Sequence, residues 1–209
     1  MKTVYVSVAG HSLHRWPVDT VLHQVSLHGE RQMTRQKVFG FENAKTVKGE
    51  KLGYITAIRY LAPANESGTH NVCPMAGACK TSCLYTAGRG AFQATKDARI
   101  KKTVWRMTDK AGHMEAAAHE LYNAMLRALC VGLRLAVRVN GTSDLPGDAI
   151  ALATLFPELQ FYDYTKIIAT LKRPLPANYH LTVSYDPQTV PWSDCEWALK
   201  RGVNVAVVF

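Results

Sequence analysis

Three cysteines fall within eleven residues, in the run Cys73-Pro-Met-Ala-Gly-Ala-Cys79-Lys-Thr-Ser-Cys83. Three thiolates from one loop can hold three irons of a cubane 4Fe–4S cluster. The fourth iron is then left open to a substrate or to S-adenosylmethionine. Gly77 and the small residues Ala76, Ala78, Thr81 and Ser82 let such a loop wrap closely, with backbone N–H groups turned toward the cluster sulfides. Lys80, Arg89, Lys96 and Arg99 follow at once, and their charges suit an anionic partner, whether thiolate cluster or substrate. Zinc is the alternative metal. It wants four ligands, so His70 or a distant cysteine would have to join. Metal-free structural thiols are the third option, and three of them in a loop would be open to oxidation. The chain has five cysteines in all. Cys130 and Cys195 lie in apolar helical patterns, and Cys130 reads as a small core residue. In a reducing cytosol this distribution disfavours a disulfide framework and favours a metal site or reactive thiols.

The elements that must position this loop are legible from periodicity. A β-rich run over 54–61 precedes it, bounded by Pro63. The pattern turns helical from about Phe92, and a second helix covers about 113–133, with Ala117, Leu121, Met125, Leu129 and Cys130 usable as a buried stripe. Strands at 135–139, 160–164, 180–184 and 203–209 then alternate with helices at about 147–156 and 193–200. Such alternation implies parallel strands joined by right-handed crossovers. The expected fold is α/β, a partial (β/α) barrel of mainly parallel strands with a short β-containing N-terminal extension.

In such folds ligands gather at the carboxyl ends of strands. Here those ends carry Asn140, Thr142, Ser143 and Asp144, then Asp163, Tyr164, Thr165 and Lys166, then Ser184, Tyr185 and Asp186. Asn140, Thr142, Ser143, Asp144, Asp163, Tyr164, Lys166 and Ser184 are therefore candidates for a substrate- or cofactor-binding face. Asp144, Asp163 and Lys166 are the candidates for catalytic acid–base work. Helix capping and turn formation are the competing roles for the same residues.

At 209 residues, 47% hydrophobic and 20% charged, the composition is that of a globular chain with a real core. Disorder, collagen and coiled coil are poor explanations of it. The net charge is +9, and it is uneven: residues 1–110 carry a balance of +10 and residues 111–209 of −1. An anionic partner near the first half follows: nucleic acid, phosphate or a negatively charged cofactor. For an enzyme, a nucleic-acid or nucleotide substrate is the expected class. A second function class is a metal-stabilised nucleic-acid-binding or interaction protein without catalysis. In it Lys96, Arg99, Lys101, Lys102 and Arg106 contact phosphates from one helix, with Trp105 available for stacking. A solvated helix face with Trp105 in the core is the opposing reading.

No run of 18 apolar residues exists, so no membrane span is expected, and the N-terminus reads as a strand rather than a signal peptide. A cytoplasmic location is the expectation. In the first 44 residues two alternating segments, 3–8 and 21–27, could pair as a hairpin connected around Trp16-Pro17. His11, His14, His23 and His28 lie here without ligand-like clustering.

The run VCPMAGACKTSCLYTAGRGAF, followed by ARIKKT, VRVNGTSD, FYDYTK, NYHLTVSY and RGVNVAVVF, closely resembles the bacteriophage and prophage gene product 88 family over about 45–209. The resemblance implies a gene-product-88-like domain at 45–209, a variable extension at 1–44 and the host-cell cytoplasm as the place of action. It implies no particular activity. Family members look longer at the C-terminus, and ending on an apolar strand raises the expectation of a truncated edge. A weaker, fold-level similarity is to the radical S-adenosylmethionine superfamily, which places a three-cysteine loop after the first strand of a partial barrel. The spacing there is Cys-x3-Cys-x2-Cys, against x5 and x3 here.

Overall fold

The computed structural model describes residues 3–6, 14–17, 36–41, 46–81, 83–86 and 88–207. Its centre is a six-stranded mixed sheet. The strands are β3 (Phe39–Gly40), β4 (Tyr54–Arg59), β5 (Arg134–Arg138), β6 (Gln160–Thr165), β7 (Tyr179–Ser184) and β8 (Asn204–Ala206), in that spatial order. β3 pairs antiparallel with β4, and every later pair is parallel. A separate hairpin joins β1 (Thr3–Val6) to β2 (His14–Pro17).

Between the strands run α1 (Thr46–Glu50), α2 (Gln93–Thr108), α3 (Lys110–Cys130), α4 (Pro146–Leu155), α5 (Ile168–Leu171) and α6 (Trp192–Leu199). Neighbours in space are neighbours in sequence, so each crossover returns the chain one strand along in the same direction. Right-handed crossovers then lay α3, α4, α5 and α6 on one face. Burial agrees. Odd-numbered strand residues such as Ala57, Val137, Phe161 and Leu181 are buried with Ala117, Leu121 and Ala124 of α3 and Leu152 of α4. A smaller cluster holds Val183, Val190, Cys195 and Ala198. Each fully buried Leu or Phe contributes about 1.5–3 kcal/mol.

The sheet is open: its edges are β3 and β8, and no pairing among the described residues closes it into a barrel. The edge strand β3 is short yet tightly held. Glu120 of α3 accepts the backbone N–H groups of Val38 (2.7 Å) and Phe39 (2.9 Å), and Lys102 Nζ donates to the Val38 carbonyl (2.7 Å).

Three expectations are corrected. The N-terminal hairpin uses 14–17 as its second strand instead of a turn at Trp16-Pro17; the segment 21–27 and His11, His23 and His28 lie outside the described residues. On α3 the buried stripe is Ala117, Leu121, Ala124 and Ala128, at the helical period, while Leu129 and Cys130 are exposed. They sit one and two positions past Ala128, where the helix has turned away from its inward face. Finally, the cations of α2 do not form one solvated row. Lys102 reaches β3, Arg106 pairs with Asp148, and Arg99 lies over tyrosine rings, while Lys101 stays exposed.

Candidate functional site

The three-cysteine loop lies across the carboxyl ends of β4 to β7, and polar bonds from successive strand ends hold it there. Thr142 Oγ1 donates to the Leu61 carbonyl and the Asp144 N–H to the Val72 carbonyl at 2.8 Å. Lys166 Nζ reaches the Ala76 carbonyl (3.3 Å) and, more closely, Asp186 Oδ2 (2.5 Å). Gly77 has φ +50°, and a Cβ there would meet Thr189 Cγ2 at 2.6 Å and Asp186 Oδ2 at 3.1 Å. A glycine is therefore what lets the loop settle on the β7–α6 connection. Gly77→Ala should cost about 1–3 kcal/mol of loop docking. The expected readout is at least fivefold faster modification of Cys73 by a thiol reagent; an unchanged rate would refute the docking role.

Cys73 and Cys83 are half-buried and Cys79 is exposed. Cys73 Sγ points to the Thr142 carbonyl at 3.5 Å. Burial pushes the Cys73 thiol up to about 11, a neighbouring Ala64 backbone group opposes this, and Asp144 and the other two thiols add to it. Burial likewise raises Cys83, against the Tyr85 backbone and the charge of Arg99. The three sulfurs are thus within electrostatic reach of one another. Among the described residues no three His, Cys, Asp or Glu side chains converge on one metal ion.

Of the cationic candidates, Lys80 and Arg89 are exposed. The Lys96 ammonium sits 5.5 Å from the centre of the Tyr85 ring. Arg99 lies over Tyr60 (5.0 Å) and Tyr85 (5.6 Å), and its Nη1 is buried without a hydrogen-bond partner. A buried unpartnered guanidinium nitrogen beside Cys83 is costly unless an anion completes it.

Several of the strand-end residues come together as well, in two hydrogen-bonded groups. The Asn140 N–H and Nδ2 donate to the two Asp163 oxygens (2.8 and 3.0 Å), and Tyr179 OH donates to Oδ2 (3.2 Å). Asn140 Oδ1 in turn accepts from Ser143 Oγ and the Leu145 N–H. Asp144 accepts from Thr165 Oγ1 and the Lys166 N–H. Burial pushes Asp163 up to about 6, against the bonds from Asn140 and the charge of Arg138, and burial also raises Asp144. Ser184 is half-buried at the end of β7, and Tyr164 is exposed on β6. Arg138 lies over the Tyr164 ring at 4.8 Å.

Beneath this layer is a buried ionic triad that spacing does not announce. Arg59 Nη1 donates to Asp148 Oδ2 (2.9 Å), and Arg106 grips Asp148 through Nε and Nη2 (2.9 and 2.7 Å). Arg59 Nε also donates to the Val139 carbonyl at 3.0 Å. An arginine inside the apolar run YITAIRYLA was the available signal, since a fully buried arginine needs a buried acid.

Fold and site together define a mixed α/β protein whose three-cysteine loop caps the carboxyl ends of an open, mostly parallel sheet. The chain belongs to the gene product 88 family, whose model matches residues 33–209. The matched region includes β3, which pairs with β4 in the same sheet. No curated protein and no solved structure matches the chain. Among the described residues no helix is long and apolar enough to cross a membrane.

Proposed function

We propose that Cys73, Cys79 and Cys83 hold a 4Fe–4S cluster, in a cytoplasmic enzyme acting on a nucleic acid or nucleotide. The observation that carries this is the buried, unpartnered Nη1 of Arg99 beside a loop of three neighbouring thiols. Three thiolates from one loop match the ligand number that a 4Fe–4S cluster with one open iron would need. That donor set suits a cluster better than a lone zinc ion, which wants four ligands. When bound, such a cluster supplies a one-electron donor and one open coordination position for a small ligand such as S-adenosylmethionine.

The chain's own residues then have distinct tasks. Arg99 and Lys96 offset the cluster's negative charge. Gly77, Thr142 and Lys166 seat the loop on the strand ends. Sequential strand order with right-handed crossovers supports a partly curled, barrel-like sheet with its helices outside. The similarity to radical S-adenosylmethionine enzymes rests on this loop placement and extends no further than fold-level analogy.

The test is iron and acid-labile sulfide analysis, with absorption spectra, of anaerobically purified protein. About four irons per chain with a brown thiolate-to-iron band is the expected result. Each single Cys→Ser variant should fall below one iron per chain. Colourless protein with one zinc per chain would overturn the reading.

A second reading, a metal-stabilised nucleic-acid-binding protein without catalysis, is favoured by one observation. Asn140, Asp144 and Asp163 are engaged by internal hydrogen bonds, which leaves little free acid–base capacity at the strand ends. Cys→Ser variants that lose folding while the metal-loaded protein shows no cleavage of S-adenosylmethionine would select it.

A further inference from the structure

The cations of α2 are largely turned inward, yet a cationic surface exists elsewhere. On β4 to β8 the even-numbered residues share the sheet face opposite α3 and α4, as the register requires: Tyr54 pairs with Arg134, Ala136 with Gln160, Tyr162 with His180 and Thr182 with Asn204. No Asp or Glu occupies any of these positions. Two arginine–tyrosine pairs stand on this face. Arg134 lies over Tyr54 at 4.5 Å, and Arg138 lies over Tyr164 at 4.8 Å. Arg134 and Arg138 are four residues apart on β5, about 13 Å along the strand. Tyr164 is 41% exposed, and His180 is exposed two strands from Arg138. Arg138 Nε is buried and has no hydrogen-bond partner. The helix α1 borders the face at β4, where Gly49 comes close to Thr56.

We infer that this face is a platform for single-stranded nucleic acid, with bases stacking on Tyr164 and Tyr54 and phosphates meeting Arg138 and Arg134. Charge complementarity names the occupant: a face with cations, aromatic rings and no carboxylate fits a ligand that is both polyanionic and rich in flat rings. Repetition chooses a strand over a free nucleotide. A mononucleotide brings one base and one phosphate group and engages one arginine–tyrosine pair, whereas a strand engages both. A duplex hides the faces of its bases and offers nothing for the tyrosines to stack against. The inference deepens the proposed function by naming its substrate class, but binding here requires no cluster.

The experiment is fluorescence anisotropy of a labelled 20-nucleotide mixed-sequence single strand, as DNA and as RNA, titrated with the full chain at several salt concentrations. Binding that weakens steeply with salt is expected. Tyr164→Ala and His180→Glu change exposed positions and should each weaken binding about tenfold or more, with the circular dichroism spectrum unchanged. Arg138→Gln should weaken it and flatten the salt dependence. Lys101→Ala, on the outer face of α2, should leave it within about twofold. The triple Cys→Ser protein, if folded, should bind as the parent does. That separates this inference from the cluster reading, because a protein without iron that still binds the strand through Tyr164 refutes only the latter. No binding, equal binding of a duplex, or full competition by equimolar mononucleotide would overturn the inference. So would loss of binding in Lys101→Ala with Tyr164→Ala unaffected.

Discussion

Asp148→Ala is expected to destabilise the protein by about 3–5 kcal/mol, because it strips the counter-charge from two buried arginines at once. Asp148 is 1% exposed, Arg59 0% and Arg106 12%. Both guanidinium groups would then face each other across the vacated site, with Arg59 Nη2 already lacking a partner. Domains of this kind have only about 5–15 kcal/mol of total stability, so the loss should appear as a large drop in the urea midpoint. Asp148→Asn keeps the shape and one acceptor oxygen, and should fall between the parent and the alanine variant. The same carboxylate sets an acid limit. Burial alone would raise it, but the Arg106 hydrogen bond and the charges of Arg59 and Arg106 hold it at about 2. A depressed carboxylate contributes stability that is fully present above the ordinary value of 3.8 and is lost as pH falls through 2. An alanine variant within 1 kcal/mol of the parent would refute the triad's role.

The second large effect belongs to His113, on α3 within electrostatic reach of the triad. It is 0% exposed, its ring stacks edge-on against Trp105 at 4.9 Å, and neither ring nitrogen has a hydrogen-bond partner. Burial first, and the charge of Arg59 next, hold its pKa at about 3. The unfolded chain takes up a proton near pH 6.5 while the folded chain does not, so stability falls as pH drops from 6.5 toward 3. By pH 5 the loss from this one group is about 2 kcal/mol, at 1.36 kcal/mol per pH unit. His113→Leu should remove that slope. At pH 7.5 the variant should lie close to the parent, since the lost ring contact with Trp105 is offset by no longer burying two unpaired nitrogens. At pH 5 it should be the more stable protein by about 2 kcal/mol. Urea midpoints of both proteins at pH 7.5 and 5.0 decide this, and parallel pH losses in the two would sink it.

These two sites explain why the molecule tolerates polar residues in its core, and they bear on the cysteine loop above. Arg59 ends β4, immediately before the chain rises into that loop, and Asp148 anchors α4 just after the strand end that receives it. The triad therefore fixes two of the strands whose ends carry the loop, β4 and β5. Loss of the triad is expected to loosen the cysteine site without any change to the cysteines.

Much of this protein was determined by local sequence. The βα alternation, the strands LAVRV and FYDY, and the cysteine spacing each follow from short-range periodicity or residue type, and the structure keeps them in place. Their carboxyl ends meet in space because sequential right-handed crossovers leave no other arrangement for adjacent parallel strands. Residues that answer to partners far along the chain were decided only by tertiary structure. Cys130 and Leu129 look buried in a helical pattern, but the face that packs on the sheet runs through Ala117, Leu121, Ala124 and Ala128 and leaves both outside. Arg106 and Lys102 read as a phosphate-binding row, yet a buried acid 42 residues away and a backbone carbonyl 64 residues away turn them inward. Arg138 and Tyr164 pass as ordinary strand residues until register sets them side by side on an acid-free face. Periodicity reports which face of an element a residue occupies; which charges meet across that face depends on long-range pairing, and pairing is a property of the folded chain.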